Sequence, residues 1–211
     1  MYISDLQKVI IMKANKMLHY IKAVLKNMPT DWLKLTTHRL DIFEEKLAKV
    51  QFLEQFESLF KDNNADASAL NELPTAFDYI RLGHPLSCVL EWAMANLNGI
   101  NPKNVISFSS KTIAILAILR KNALANKHTQ IIYMGALPAS LDIEILSSVY
   151  GYQFDLKQVE TMAAISEIKA NSSQSTIFLS QDSEIGRIDL LPAIDFFISV
   201  YTDLGLSLIH I

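Results

Sequence analysis

A single cysteine, Cys88, occurs in 211 residues, so no internal disulfide can form, and the chain suits a reducing compartment. Long uncharged runs are missing as well. Asp5, Lys8, Lys13 and Lys16 interrupt the first apolar segment, which excludes the hydrophobic region of a secretory signal. No stretch approaches the roughly 20 apolar residues that a membrane helix needs. There is no excess of positive charge: 19 Lys and Arg stand against 22 Asp and Glu, a net charge of −3. With no basic block either, nucleic acid is not an expected partner. The five histidines are scattered, with no pair at i, i+4 and no partnering cysteines, so the spacing suggests no metal site. These absences together predict a cytoplasmic protein that engages neither membrane nor nucleic acid.

Hydrophobic residues make up 50% of the chain, enough for one domain with a sizeable core plus a helical extension. Charge is unevenly spread: residues 1–61 hold ten Lys/Arg against seven Asp/Glu, and the remainder nine against fifteen. The spacing predicts a helix over 4–28, with Leu6, Ile10, Met17, Ile21, Val24 and Met28 on one face and no interior Gly or Pro. Pro29 should stop it, and Thr30-Asp31 can cap a second helical stretch. Leu40, Phe43, Leu47, Val50, Leu53, Phe56 and Phe60 predict another helix up to about residue 61, followed by a polar connection over 63–68.

Beyond residue 76 the period changes. Helices are expected over 87–98, 112–122, 139–150, 158–170 and 190–201, and strands over 105–109, 130–134, 152–155, 176–180 and 206–211. This alternation argues for an α/β fold, a mainly parallel sheet covered on both faces. The chain ends on a strand with no closing helix. It is therefore expected to be a fragment cut partway through a larger domain, and its last residues can also be read as foreign to the native sequence.

Two segments point to phosphate. Tyr79-Ile80-Arg81-Leu82-Gly83-His84-Pro85-Leu86 places a phenol and a guanidinium two residues apart on an extended stretch, because Pro85 biases His84 away from helix. Arginine gives phosphate a permanently charged fork and tyrosine a neutral donor. Ser109-Ser110-Lys111-Thr112 then joins a strand to a helix, a turn of small residues whose free N–H groups and positive helix end suit an anion. Either segment alone has a plain structural reading, the first as a turn and the second as a helix cap.

In this order and spacing the two segments resemble the Cys/Met-metabolism family of pyridoxal-phosphate enzymes, the fold-type-I group of cystathionine synthases, cystathionine lyases and methionine lyase. The family pattern Tyr-x-Arg-x-x-Asn-Pro-Thr is matched by Tyr79, Arg81 and Pro85, with His84 for Asn and Leu86 for Thr. Leu90-Glu91 and Gly99 match the following helix, and Ser109-Ser110-Lys111-Thr112-Ile113-Ala114-Ile115 matches Ser-Ser-Gly-Met-x-Ala-Ile. Ile177-Phe178-Leu179-Ser180-Gln181-Asp182 and Ile188-Asp189-Leu190 are similar to the later Ser-Asn-Pro strand and its Asp-Ile. The likeness spans roughly residues 77 to 205.

The helical spacing predicts an N-terminal arm over 1–75, and the resemblance implies a partial pyridoxal-phosphate-binding domain over 76–211. It implies that Tyr79 and Arg81 reach the cofactor phosphate across a dimer interface, and that Ser110 and the N–H groups of Lys111 and Thr112 hold the same phosphate. It places Leu137 where an aromatic residue stacks on the pyridine ring, and Asp182 beside the phenolic oxygen in place of Asn. Lysine for glycine at 111 crowds or pairs with the phosphate. Leucine at 137 lacks a π surface, and a carboxylate at 182 faces an oxygen that carries charge.

The implied activity is β- or γ-elimination or replacement on a cystathionine- or methionine-like amino acid, in a homodimer or homotetramer. In the family, the Schiff-base lysine lies beyond the point where this chain stops, so whether this polypeptide is itself an enzyme stays open. Two alternatives stand beside this reading: a non-catalytic relative serving as a dimeric binding scaffold, and an unrelated phosphate-binding α/β domain. Cys88 is expected to be a small buried hydrophobe, Glu91 a capping or paired residue, and Asp142 and Glu144 helix-surface charges.

Overall fold

The structure, a computed structural model, describes residues 5–33, 45–74, 84–168, 173–181, 193–201 and 203–211. The chain divides into two compact units, Met1–Lys103 and Asn104–Ile211.

The first unit is helical. Helix α1 (Asp5–Asn27) runs without Gly or Pro and stops before Pro29, after which Thr30–Leu33 forms a 3-10 turn. Helix α2 (Glu45–Lys61), the short α3 (Ala67–Asn71) and α4 (Pro85–Asn98) complete it. His84, extended at φ −61 and ψ 126, sets Pro85 as the first residue of α4, where a missing N–H costs nothing. Gly99 closes the helix in the left-handed region at φ +68.

Met17, Tyr20 and Val24 of α1 meet Phe52, Leu53 and Phe56 of α2 and Cys88, Val89 and Trp92 of α4 in one core. Aromatic edges fill it: Phe56 lies 5.6 Å from Tyr20, 5.7 Å from Phe52 and 5.2 Å from Trp92. The residues 87–98 assigned by pattern to the α/β region therefore share a core with the N-terminal helices. Lys49 and Glu91 pair at 2.6 Å inside this unit, both nearly buried. Glu91 thus pairs with a distant residue of another helix.

Cys88 is fully buried, and burial first, with the charge of Glu91 second, pushes its thiol well above the usual range, with Lys49 pulling it back. Tyr20 donates to the Asn64 carbonyl at 2.9 Å, and burial pushes its phenol from 10.0 up to about 12. Because the folded state favours the neutral phenol, its contribution to stability is complete below pH 10 and is lost as pH rises through about 12. Unfolding midpoints of the native chain should therefore fall over that window, more steeply than those of Tyr20→Phe. Parallel profiles would contradict this.

The second unit carries a six-stranded sheet. Its strands are β1 (Val105–Phe108), β2 (His128–Met134), β3 (Phe154–Val159), β4 (Gln174–Gln181), β5 (Phe196–Tyr201) and β6 (Leu206–His210). The order across the sheet is β1-β6-β5-β4-β2-β3. β2 pairs in parallel with β3 and β4, and β4 with β5, whereas β6 runs antiparallel to both β5 and β1.

Helix α5 (Ile113–Leu124) follows β1, and its Ala114, Ile115, Ile118 and Leu119 pack with Ile131, Ile177, Ile198 and Val200 on one face. Leu141 and Leu146, between β2 and β3, join the same face. Ile165 of the short α6 (Met162–Ser166), between β3 and β4, packs with Ile132, Phe178 and Phe197 on the other. The chain moves one way across the sheet from β2 to β3 and back from β3 to β4. Right-handed crossovers then require connections on opposite faces, as found.

One expected helix is replaced by a strand and two are shortened. Residues 196–201, expected as helix, form strand β5. Phe196, Phe197, Ile198, Ser199 and Val200 are all buried, and an aromatic and β-branched run broken only by Ser199 fits a two-sided strand as well as a helix. Over 139–150 the expected helix is shorter: residues 143–149 are helical, the last five, Ile145–Val149, as a π-helix. Ser147 and Ser148 hydroxyls donate to the Ile143 and Glu144 carbonyls, competing with helix bonding, while Ile145, Val149 and Tyr150 are exposed. The expected start of a helix at 158 is occupied by β3, where Gln158 and Val159 pair with Tyr133 and Met134. Thr161 then caps α6 through Ala164 N–H.

Candidate functional site

Five of the six strands point the same way, so the residues after β1, β2, β3, β4 and β5 lie along one edge of the sheet. In open α/β sheets this carboxyl edge is where ligands bind. The turn 109–112 leaves β1 at this edge and enters α5. Ser110 Oγ accepts from both Thr112 N–H and Ile113 N–H at 3.3 Å. Two of the N–H groups at the helix mouth are thereby held by a long local cap, the plain reading of Ser-Ser before a helix.

The Ser110 carbonyl in turn accepts the buried Ser207 hydroxyl of β6 at 2.6 Å. No acidic residue lies in the first turn of α5, and Lys111, half-buried, stands just ahead of it. A cation beside the positive end of a helix is unfavourable unless an anion joins them. The Ser110 hydroxyl and the Thr112 and Ile113 N–H groups form a donor set suited to a phosphate, with Lys111 between them in sequence, and bonds of 3.3 Å are weak enough to exchange for shorter charge-assisted ones.

Leu137 leaves β2 at the same edge. Gly135, at φ +75, lets the chain turn there, and its carbonyl accepts the Gln158 side chain at 2.8 Å. Leu137 is half-buried and packs on the core that Phe108 and Leu116 also join. Between β1 and β2 lie β6, β5 and β4, so the two strand ends are on the order of 19 Å apart along the sheet. The turn 109–112 and Leu137 share an edge, and among the described residues no hydrogen bond joins them. Tyr79, Arg81 and Asp182 lie outside the described residues. Ser207 and Gln158, which brace the two loops, carried no sequence signal, because each acts through a contact that only the fold creates.

Two adjoining cavities of this unit lie at the opposite, amino-terminal edge. They share His128, Gly151, Tyr152 and Gln153, and His128 Nε2 meets Asp155 Oδ2 there at 2.8 Å between exposed side chains. Among the described residues no helix is long and apolar enough to cross a membrane.

No protein-family model matches this sequence, and no curated protein does. A solved structure from Campylobacter jejuni subsp. jejuni, described as an O-acetylhomoserine (thiol)-lyase carrying N'-pyridoxyl-lysine-5'-monophosphate, is 16% identical. The match covers 71% of this chain and 45% of that one, with a TM-score of 0.40. The chain thus spans less than half the length of that protein, and an overlap of this extent fixes neither fold nor function.

Proposed function

We propose that this chain is part of a pyridoxal-phosphate-dependent lyase or transferase of sulfur amino-acid metabolism, acting by β- or γ-elimination or replacement on a cystathionine- or methionine-like substrate. The observation that carries this is the turn 109–112. It is a strand-to-helix mouth on the carboxyl edge, with the Thr112 N–H, one of the proposed phosphate donors, and the Ile113 N–H on an exchangeable cap, a lysine just ahead of them in sequence and no acid in the first helical turn.

The Ser110 hydroxyl, the Lys111 and Thr112 N–H groups and the Lys111 ammonium would hold the phosphate from this chain. Tyr79 and Arg81 would complete its coordination from a second copy in a homodimer or homotetramer. Leu137 would pack against the pyridine ring, and Asp182 would accept a proton shared with the phenolic oxygen, which keeps two negative charges from facing each other. When bound, the cofactor supplies an electron sink for the substrate's α-carbon. The protein's part is to fix the cofactor's orientation and exclude water from it. A cytoplasmic location accords with the single buried thiol.

The substitutions at 111, 137 and 182, together with the Ser110 cap, favour one second reading: a non-catalytic relative that keeps the scaffold for binding. Both readings require the phosphate to be the handle. Pyridoxal 5′-phosphate should bind at least about tenfold more tightly than pyridoxal in difference-absorbance titrations. Equal affinities would leave only an unrelated α/β protein.

A further inference from the structure

We infer that the groove between α2 and α4 binds a free α-amino acid with an apolar side chain, a site separate from the proposed cofactor edge. Val50, Leu53, Glu54 and Glu57 line it from α2, and their spacing of i, i+3, i+4 and i+7 makes one stripe of the helix. Trp92 and Asn96, one turn apart on α4, form the second wall, and the turn Asn101, Pro102, Lys103 closes the end. The cavity measures about 380 Å³, within the range of small-molecule sites.

Its polar groups are sorted by kind. On the helical walls they are acceptors. Glu57 is fixed in place, its Oε2 accepting the Trp92 indole N–H at 2.6 Å while Oε1 lies 3.7 Å from the exposed Lys61. Glu54 beside it is exposed and forms no ion pair with any described residue. Asn96 donates its Nδ2 to the Trp92 carbonyl at 3.1 Å, which turns its Oδ1 toward acceptor use.

In the closing turn the groups are donors. Asn101 Oδ1 accepts Lys103 N–H at 3.1 Å, leaving the Nδ2 donor, and the Lys103 ammonium is exposed without an ion pair among the described residues. Between the two sets lie Val50, Leu53 and Pro102. A simple amine would leave Lys103 unmatched, and a simple carboxylate would meet two glutamates. A zwitterion satisfies both sets, its ammonium toward Glu54 and Glu57, its carboxylate toward Lys103 and Asn101, and its aliphatic side chain on the apolar surface.

The test is calorimetric titration of the whole chain, without pyridoxal phosphate, with L-leucine and with two analogues. Isoamylamine lacks the carboxylate and isocaproate lacks the ammonium. Leucine should bind once per chain with a dissociation constant at or below about 1 mM, and each analogue at least about tenfold more weakly. Lys103→Gln should weaken leucine and leave isoamylamine unchanged, and Glu54→Gln should weaken leucine and leave isocaproate unchanged. Both side chains are exposed, so neither change threatens folding. Arg81→Ala should leave leucine binding intact, which keeps this site's fate separate from that of the cofactor proposal. Absence of saturable leucine binding, or isoamylamine binding as tightly as leucine, would overturn the assignment.

Discussion

Lys49→Met is expected to lower the stability of the helical unit by about 3–5 kcal/mol, because it removes the ammonium that the buried Glu91 carboxylate pairs with. The pair lies at 2.6 Å, with the two side chains 10% and 5% exposed, so water cannot take over the lost partner. Methionine keeps the length of the stem but not the charge. The double change Lys49→Met with Glu91→Leu should regain most of the loss, since removing both charges also removes the desolvation cost that the pair had to offset. Both tryptophans of the chain, Trp32 and Trp92, are buried in the helical unit. Urea unfolding followed by their fluorescence therefore reports on this unit alone. A single substitution costing less than about 1 kcal/mol would show the pair to be solvated.

Phe56→Ala should cost a comparable amount, about 3–5 kcal/mol. Phe56 is fully buried, and its ring is the one shared neighbour of Tyr20, Phe52 and Trp92. Its loss opens a cavity bounded by rigid rings on three helices, which cannot all close inward together. The edge-on contacts add about 0.5–1.5 kcal/mol per aromatic pair beyond area alone. Phe60→Ala makes a useful comparison. Phe60 touches Tyr20 and Trp92 at 5.2 and 4.8 Å but is only half-buried, so its truncation should cost clearly less. Equal costs at the two positions would mean that burial does not decide the ranking.

Helices α1, α2 and α4 were legible because each carries its own signal, whereas the short α3 begins within the stretch expected as a polar connection. Met17, Val24, Leu53 and Phe56 repeat at the helical period, and Pro29, Pro85 and Gly99 punctuate it. Tyr20, as buried as any of them, was passed over because its hydroxyl finds its partner only where α1 meets the connection at Asn64. In the second unit the alternation was legible, but not the identity of every element. Phe196 to Tyr201 is apolar but for Ser199 and the Tyr201 hydroxyl, and whether such a run becomes helix or strand depends on a neighbour offering paired backbone. β4 offers it, pairing Ile177 to Gln181 with Phe196 to Val200.

The antiparallel insertion of β6 between β1 and β5 could not be foreseen, because register between distant strands is set by the assembled sheet. At the candidate site, the strand-to-helix turn was read correctly as a helix mouth. The Ser110 hydroxyl bonds across it and the brace from Ser207 appear only once β1, α5 and β6 are brought together. Glu54 and Glu57 carry no signal in the sequence, and only the fold gives them a cavity shared with the closing turn at Lys103.

The central claim is that the Ser110–Thr112 mouth and Arg81 grip one phosphate. The most direct measurement is the dissociation constant of pyridoxal 5′-phosphate for the native chain and for Arg81→Ala, at the same protein concentration and ionic strength. Loss of a charge-assisted fork to phosphate should weaken binding by at least about tenfold, with the affinity for pyridoxal unchanged. Equal affinity of the native chain and Arg81→Ala for the phosphorylated cofactor would contradict the account.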